Sequence, residues 1–252
     1  MSEKLSVFII TFNEEKIIAK CLHKISWADE IVIVDSGSTD RTLEICKKYN
    51  NAKIFHKDFD GFGEQKQYAV KQTSHNWVLS LDADEILSDA LIEEIKTVLQ
   101  SPSADGYFIK RKHVFLDKIF NYGKESRYSI LRLFNRERGG FDTSKVHERV
   151  VVKGTVHHLK NYFLHYSYDS LENYISKFNQ YTQLYAEGKA LKNKRYSIVE
   201  ILLKTTFEFF KRYILEGNFL NGKAGFHWSY LSAFYTYTKC IKTNELYALK
   251  SN

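Results

Sequence analysis

Four apolar runs of strand length alternate with helical patterns across the first hundred residues, and this constrains the fold more than any other feature. The runs are LSVFIIT (5–11), IVIVD (31–35), AKIFH (52–56) and WVLSL (77–81). Each is too short for a buried helix and is bounded by polar or turn residues. Between them, Ile17, Ile18, Cys21, Leu22 and Ile25 recur at helical spacing, as do Leu43, Ile45, Cys46 and Tyr49. A polar helix is expected after Gly63. Asn13 is placed to cap a helix from Glu14, and Ser88 one that carries Leu91, Ile92, Ile95, Val98 and Leu99. This βαβαβαβα order predicts an α/β fold with a mostly parallel sheet, flanked by helices on right-handed crossovers. Ligands of such sheets bind beyond the carboxyl ends of the strands. Three strands carry polar motifs there, TFNEE, DSGSTD and DADE, which converge on one crevice.

The pattern then changes twice. Segments GYFIKRKHVF, YSILRLFNR, HERVVVKG and VHHLKNYFLHY read as a mixed-strand extension, and from Ser170 three long helical segments follow. The expected division is a nucleotide-binding and catalytic domain over 1–168 and a C-terminal helical region over 169–252. No run of 18 uncharged apolar residues predicts a spanning helix. The N-terminus reads as a first strand and not as a signal peptide. Cys21, Cys46 and Cys240 form no metal motif or disulfide framework, which suits a reducing cytoplasm. Residues 189–252 hold 11 Lys and Arg against 4 Glu and no Asp, and so carry the whole net charge of +7. A basic aromatic segment on a neutral body suits an anionic partner such as a membrane, a nucleic acid or an acidic substrate.

Asp82 and Asp84, at i and i+2 past a buried strand, can share a divalent ion or its diphosphate ligand. They can also simply end a strand and favour a helix N-terminus. D-x-D alone is a weak signal, and Asp58–Phe59–Asp60 repeats it in an expected loop. Asp35 can accept from a base or a ribose hydroxyl, or close a plain turn. Asp40 and Arg41 read as a local ion pair. Thr11, Asn13 and Glu14 line a nucleoside pocket or only satisfy backbone groups. Gly61 and Gly63 permit close backbone approach, and Lys66 can neutralise phosphate, although no Walker A loop is present.

Taken together and in order, VFIITFNEE, DEIVIVDSGSTDRT, GFGEQKQYA and WVLSLDADE resemble the inverting family 2 glycosyltransferases of GT-A (Rossmann-like) fold. SILRLFNR, KVHERVVVKG, LHYSYDSLENYISKFNQYT and YILEGNFLNGKAGFHWSYLSAFYTYTK extend the likeness to the lipopolysaccharide-core β-1,4-glucosyltransferases. Two departures stand out: Gln67 where relatives often carry Asn, and Asn221 near a frequent Asp.

The resemblance implies a UDP-sugar donor such as UDP-glucose. Asp35 would take the uracil, and Thr11, Asn13 and Glu14 the nucleoside. Asp84 would hold Mg²⁺ or Mn²⁺, with Asp82 near ribose or diphosphate and Lys66 on the phosphates. Inversion needs a base for the acceptor hydroxyl. Glu148 is the candidate, with His147 beside it and Asp142 as substitute; Glu148 can instead pair with Arg149 or Arg132. Arg132 and Arg136 bind phosphates or cover a solvated strand face. His157, His158 and His165 read as structural. The acceptor expected is a lipid-linked saccharide such as the lipopolysaccharide inner core. Phe207, Phe209, Phe210 and Tyr213, with Lys204, Lys211 and Arg212, would contact the inner face of a bacterial cytoplasmic membrane from the cytoplasm. Packing on the sheet domain or in a homo-oligomer would use the same residues. A polyprenyl-phosphate or protein acceptor is the second enzyme reading. A nucleic-acid module fits the charge, but no docking motif supports it, and no nucleic-acid partner is expected.

Overall fold

A computed structural model describes residues 2–142, 148–168 and 170–251. It divides into two compact units, Met1–Lys112 with Tyr128–His165, and His113–Arg127 with Tyr166–Asn252.

The first unit starts as β1 (Leu5–Thr11), α1 (Ile18–Ile25), β2 (Glu30–Asp35), α2 (Thr42–Cys46), β3 (Ala52–His56), α3 (Phe62–Gln72) and β4 (Trp77–Asp82). β1 and β2 are buried nearly throughout. That is why they read as unbroken apolar runs and not as alternating ones. β3, β2, β1 and β4 are hydrogen-bonded in that order, all parallel. The register sets Thr11 opposite Asp35 and Ile10 opposite Asp82. Three polar motifs therefore end at one level of the sheet. At the other end, Glu30 is almost fully buried and accepts from Ser6, Lys53 and Ser74.

Beyond β4 come the short β5 (Glu85–Leu87) and α4 (Asp89–Gln100). Ser88 caps α4 as expected, accepting from the Leu91 amide. The chain continues as β6 (Gly106–Phe115), β7 (Lys118–Ile119), β8 (Ser129–Asn135), β9 (Gly139–Phe141), β10 (Val150–Val152) and β11 (Val156–His165). The sheet runs on from β4 as β8, β6, β11 and β5, with β4–β8, β8–β6 and β11–β5 antiparallel. β9 and β10 form a separate hairpin. The antiparallel extension stands as expected; β5, β7 and β9 are too short to give a sequence pattern.

The helical unit comprises α5 (Leu171–Ala190), α6 (Ile198–Phe210) and α7 (Gly222–Ser251). α6 continues through a π turn over Lys211–Leu215. Ser170 and Ser197 cap α5 and α6. A cluster of Phe115, Phe120, Tyr174 and Phe178 with Trp228 and Tyr235 forms its core. Asn221 accepts from the amides of Asn121 and Tyr122 and donates to Tyr122 O and Asn218 Oδ1. An aspartate could not make those two donations, so Asn is the residue this clamp requires. Gly225 packs against the Asn218 carbonyl so closely that a Cβ would lie 1.8 Å from its oxygen. All three cysteines are buried free thiols.

Candidate active site

The β1 and β2 loops interlock. Asp35 Oδ2 accepts from the amides of Gly37 and Ser38, both at 2.9 Å, and its Oδ1 accepts from Ser38 Oγ at 2.5 Å. Gly37 adopts φ +93° in this turn, a conformation that favours glycine. Asn13 stands at φ +56°. Its amide donates to Ser38 Oγ, and its Oδ1 accepts from the Thr39 amide at 2.8 Å. Asn13 therefore does not cap a helix at Glu14. α1 begins at Ile18, and Asn13 instead spends its side chain on the neighbouring loop. The Glu14 amide donates to Thr42 Oγ1. Asp40 accepts from the amides of Glu15 and Thr42, while Arg41 pairs with Glu15 at 3.2 Å, so the expected Asp40–Arg41 pair is not formed. Thr11 is buried, and its Oγ1 has no hydrogen-bond partner among the described residues.

At the tip of β4 the carboxylates meet two buried cations. Arg132 Nη2, from β8, lies 2.9 Å from Asp82 Oδ2 and 2.5 Å from Glu85 Oε1. Lys66 Nζ, from α3, lies 3.0 Å from Asp82 Oδ1 and 3.0 Å from Glu148 Oε1. Glu85 also accepts from the Asp82 amide, which bends the chain out of the strand. Burial alone would raise the Asp82 pKa, but Lys66 and Arg132 reverse this and hold it well below the usual carboxylate range. Glu85 goes the other way: burial raises its pKa, and Arg132 only partly offsets that. Burial opposes the Arg132 charge, yet Glu85 and Asp82 keep its pKa above the ordinary value. Arg132→Met should leave Glu85 without its buried cation and Asp82 with Lys66 alone, and cost about 3–5 kcal/mol of stability. Urea denaturation checks this; an unchanged midpoint would refute the structural role.

Asp84 meets His165, with Nε2 of the ring 3.3 Å from Oδ2. The cause lies in the sheet: β5 pairs with β11, and His165 faces Glu85 in register. Burial works against the charged imidazole, but the hydrogen bond and charge of Asp84 outweigh it and the His165 pKa is raised. His165, read from sequence as structural, is brought by the pairing of β5 with β11 to Asp84 at the carboxyl end of β11. Asp84 and His165 are a fitting pair of oxygen and nitrogen donors for one divalent ion. Among the described residues no cluster of three or more candidate ligands exists. An ion here would complete its shell with water or phosphate, the usual arrangement for a metal that holds a phosphorylated substrate.

The remaining predicted residues fall as follows. Glu148 pairs with Lys66 and not with Arg149 or Arg132. His147 lies outside the described residues. Asp142 Oδ1 accepts from the Arg149 amide. Arg136 donates to Thr73 O and Oγ1, a structural use. Gln65 donates to Ser36 Oγ and Lys57 O, and Gln67 accepts from the Phe141 amide. Asp58 and Asp60 form local loop pairs with His56 and Lys57.

The glycosyl transferase family 2 model matches residues 6–152. The chain belongs to glycosyl transferase family 2. A lipopolysaccharide core biosynthesis glycosyltransferase, LpsC of Rhizobium meliloti, is 32% identical over 98% of this chain and 94% of its own length. An uncharacterised glycosyltransferase of Rickettsia typhi is 31% identical over 99% and 89%. The crystal structure of Staphylococcus aureus TarS 1–349 with UDP aligns at TM-score 0.52 and 18% identity, covering 98% of this chain and 91% of that one. The fold is therefore the GT-A glycosyltransferase fold, and the protein is a glycosyltransferase of family 2.

Proposed function

We propose that this family 2 glycosyltransferase moves a hexose, glucose by resemblance, from a UDP-sugar to a hydroxyl of a lipid-linked saccharide, with inversion at C1. The observation that carries the reading is the cluster Asp82, Lys66, Glu148 and Arg132 beside the Asp84–His165 pair, at the carboxyl ends of the parallel strands. The likeness to LpsC supports a lipopolysaccharide-core acceptor. TarS, of the same fold, has been crystallised with UDP-GlcNAc and with UDP.

Thr11, Asn13 and Glu14 line the nucleoside site in this reading, and Asp35 receives the uracil. Asp84 and His165 would hold Mg²⁺ or Mn²⁺, which would supply positive charge against that growing on the departing diphosphate. Lys66 adds a second positive charge to the same oxygens. The acceptor oxygen attacks C1 as the C1–phosphate oxygen bond breaks. UDP leaves with the bonding pair, and the acceptor proton passes to Glu148. Lys66 touches both Asp82 and Glu148. A diphosphate that draws Lys66 away frees Glu148 to take the proton. The test is calorimetric titration of UDP with Mn²⁺ into the wild-type protein; absence of binding refutes the donor.

The helical unit offers an apolar face for the proposed membrane contact. Leu202, Leu203, Phe207, Phe210, Ile214 and Leu215 are all exposed along α6 and its π turn. Phe209 and Tyr213 instead pack on Phe226. Arg212 is committed to Glu125 and Glu208. The contact surface is thus more apolar and less basic than the charge count implies. No described helix is long and apolar enough to cross a membrane. We place α6 at a lipid interface, apolar side inward. Leu203→Glu with Phe207→Glu should abolish co-sedimentation with vesicles of phosphatidylethanolamine and phosphatidylglycerol. A wild-type protein that ignores such vesicles and dimerises through α6 would overturn this.

A further inference from the structure

The helical unit holds a half-open pocket of about 300 Å³ lined by Tyr168, Tyr174, Phe178, Trp228 and Tyr235. Its lining of phenols, an indole and charged side chains is unlike a gap left by packing. Four tyrosines border it, Tyr181 from its exposed rim, and none of their hydroxyls bonds another described residue, while Trp228 Nε1 in its wall is buried without a hydrogen-bond partner among the described residues. Other tyrosines of the chain show the usual behaviour. Tyr107 accepts from the amides of Ser103 and Ala104, and Tyr185 and Tyr196 bond each other at 3.2 Å. A buried indole N–H likewise ordinarily finds a partner, and Trp228 Nε1 has none among the described residues. Burial raises the pKa of Tyr168, Tyr174 and Tyr235, so these phenols stay neutral and able both to donate and to accept.

The charges at the cavity are unequal in what they can still do. Arg212 is spent on Glu125 at 2.5 Å, Glu208 at 2.7 Å and Glu216 at 3.4 Å. Lys239 has no carboxylate partner among the described residues. It rests between the rings of Tyr185 and Tyr235, 4.7 and 4.6 Å from their centroids. Aromatic faces beside unengaged hydroxyls and one unpaired ammonium match a particular ligand class. The C–H face of a sugar ring packs on aromatic rings, its hydroxyls need neutral partners at the rim, and the ammonium calls for an anion. An acyl chain would leave the hydroxyls and Lys239 unmatched.

We infer that this cavity binds a pyranose ring bearing a carboxylate or phosphate, with the anion on Lys239. The inference deepens the proposed function, on which it rests for the identity of the ligand as part of the acceptor saccharide.

The experiment is a saturation-transfer NMR titration of the full chain with methyl glucuronide, glucose 6-phosphate and, as neutral control, methyl glucoside. The wild type should favour the two anionic sugars. Lys239→Gln, a change at a partly exposed side chain, should weaken them about tenfold and leave methyl glucoside unchanged, as expected for one lost charge-assisted hydrogen bond. Thr236→Trp, which fills the cavity, should remove all three signals while circular dichroism reports a folded chain. No saturation transfer to any sugar in the wild type, or transfer that neither variant alters, would overturn the inference. Preference for glucose 6-phosphate alone would identify a phosphorylated sugar, and preference for methyl glucuronide a sugar acid. Titration of UDP is read separately. UDP binding without sugar binding sinks the cavity assignment alone, and sugar binding without UDP binding sinks the donor reading alone.

Discussion

Asp84→Ala is expected to lose metal-dependent UDP binding, by about a hundredfold or more in Kd. In the proposed reading Asp84 and His165, 3.3 Å apart, would hold the ion, and no described cluster of three or more candidate ligands is there to take over. The variant should remain folded, because the ion pairs that tie β4 to β8 and α3 run through Asp82, Glu85, Arg132 and Lys66. Calorimetry with and without Mn²⁺ separates the outcomes. If the variant binds UDP as the wild type does, the metal does not sit on Asp84. If the wild type binds UDP equally well without metal, Lys66 carries the diphosphate. His165→Ala should follow Asp84→Ala in direction, and a silent His165 variant would confine the site to the carboxylate.

Glu148→Gln is expected to lower kcat about 10²–10⁴-fold while leaving donor KM nearly unchanged. The change preserves shape and removes the ability to accept a proton. It also weakens the Lys66 contact at 3.0 Å, so UDP binding should hold or tighten. The measurement is UDP release from UDP-glucose in the presence of a delipidated lipopolysaccharide inner-core oligosaccharide. A kcat within tenfold of wild type would remove Glu148 as the base. Asp142→Asn would then be tested, although its carboxylate already accepts from the Arg149 amide. A loss confined to KM would mean that Glu148 positions substrate and does not take the proton.

Much of this site was legible in the chain because the parallel half of the sheet is built from local units. Each βα step writes its strand as an apolar run and its ligand-facing turn as a polar motif, a few residues apart. Asp35, Lys66, Asp82 and Asp84 could be singled out on that basis, and the register of β1 with β2 and β4 brings three of the motif ends level. The loop contacts were less legible. Asn13 reads as a helix cap, yet its side chain bonds Thr39, 26 residues away. Asp40 and Arg41 read as partners, yet each turns to Glu15. A short polar side chain is satisfied equally well by a near or a distant group, so sequence proximity does not decide.

The chain alone determined the order of the first four strands and their helices, the carboxylates at the strand ends and the basic aromatic C-terminus, since these follow from periodicity and residue type. Tertiary structure alone decided which charges meet. β5 is three residues long and has no period to read, but its pairing with β11 carries His165 to Asp84. Arg132 could lie on a solvated strand face until β8 pairs with β4 and buries its guanidinium between Asp82 and Glu85. The tyrosines around the cavity come from α5, α7 and the segment before α5, so only packing shows their hydroxyls unengaged. Long-range pairing is cooperative and leaves no local pattern, and electrostatic partners at such distances in sequence are chosen by the fold.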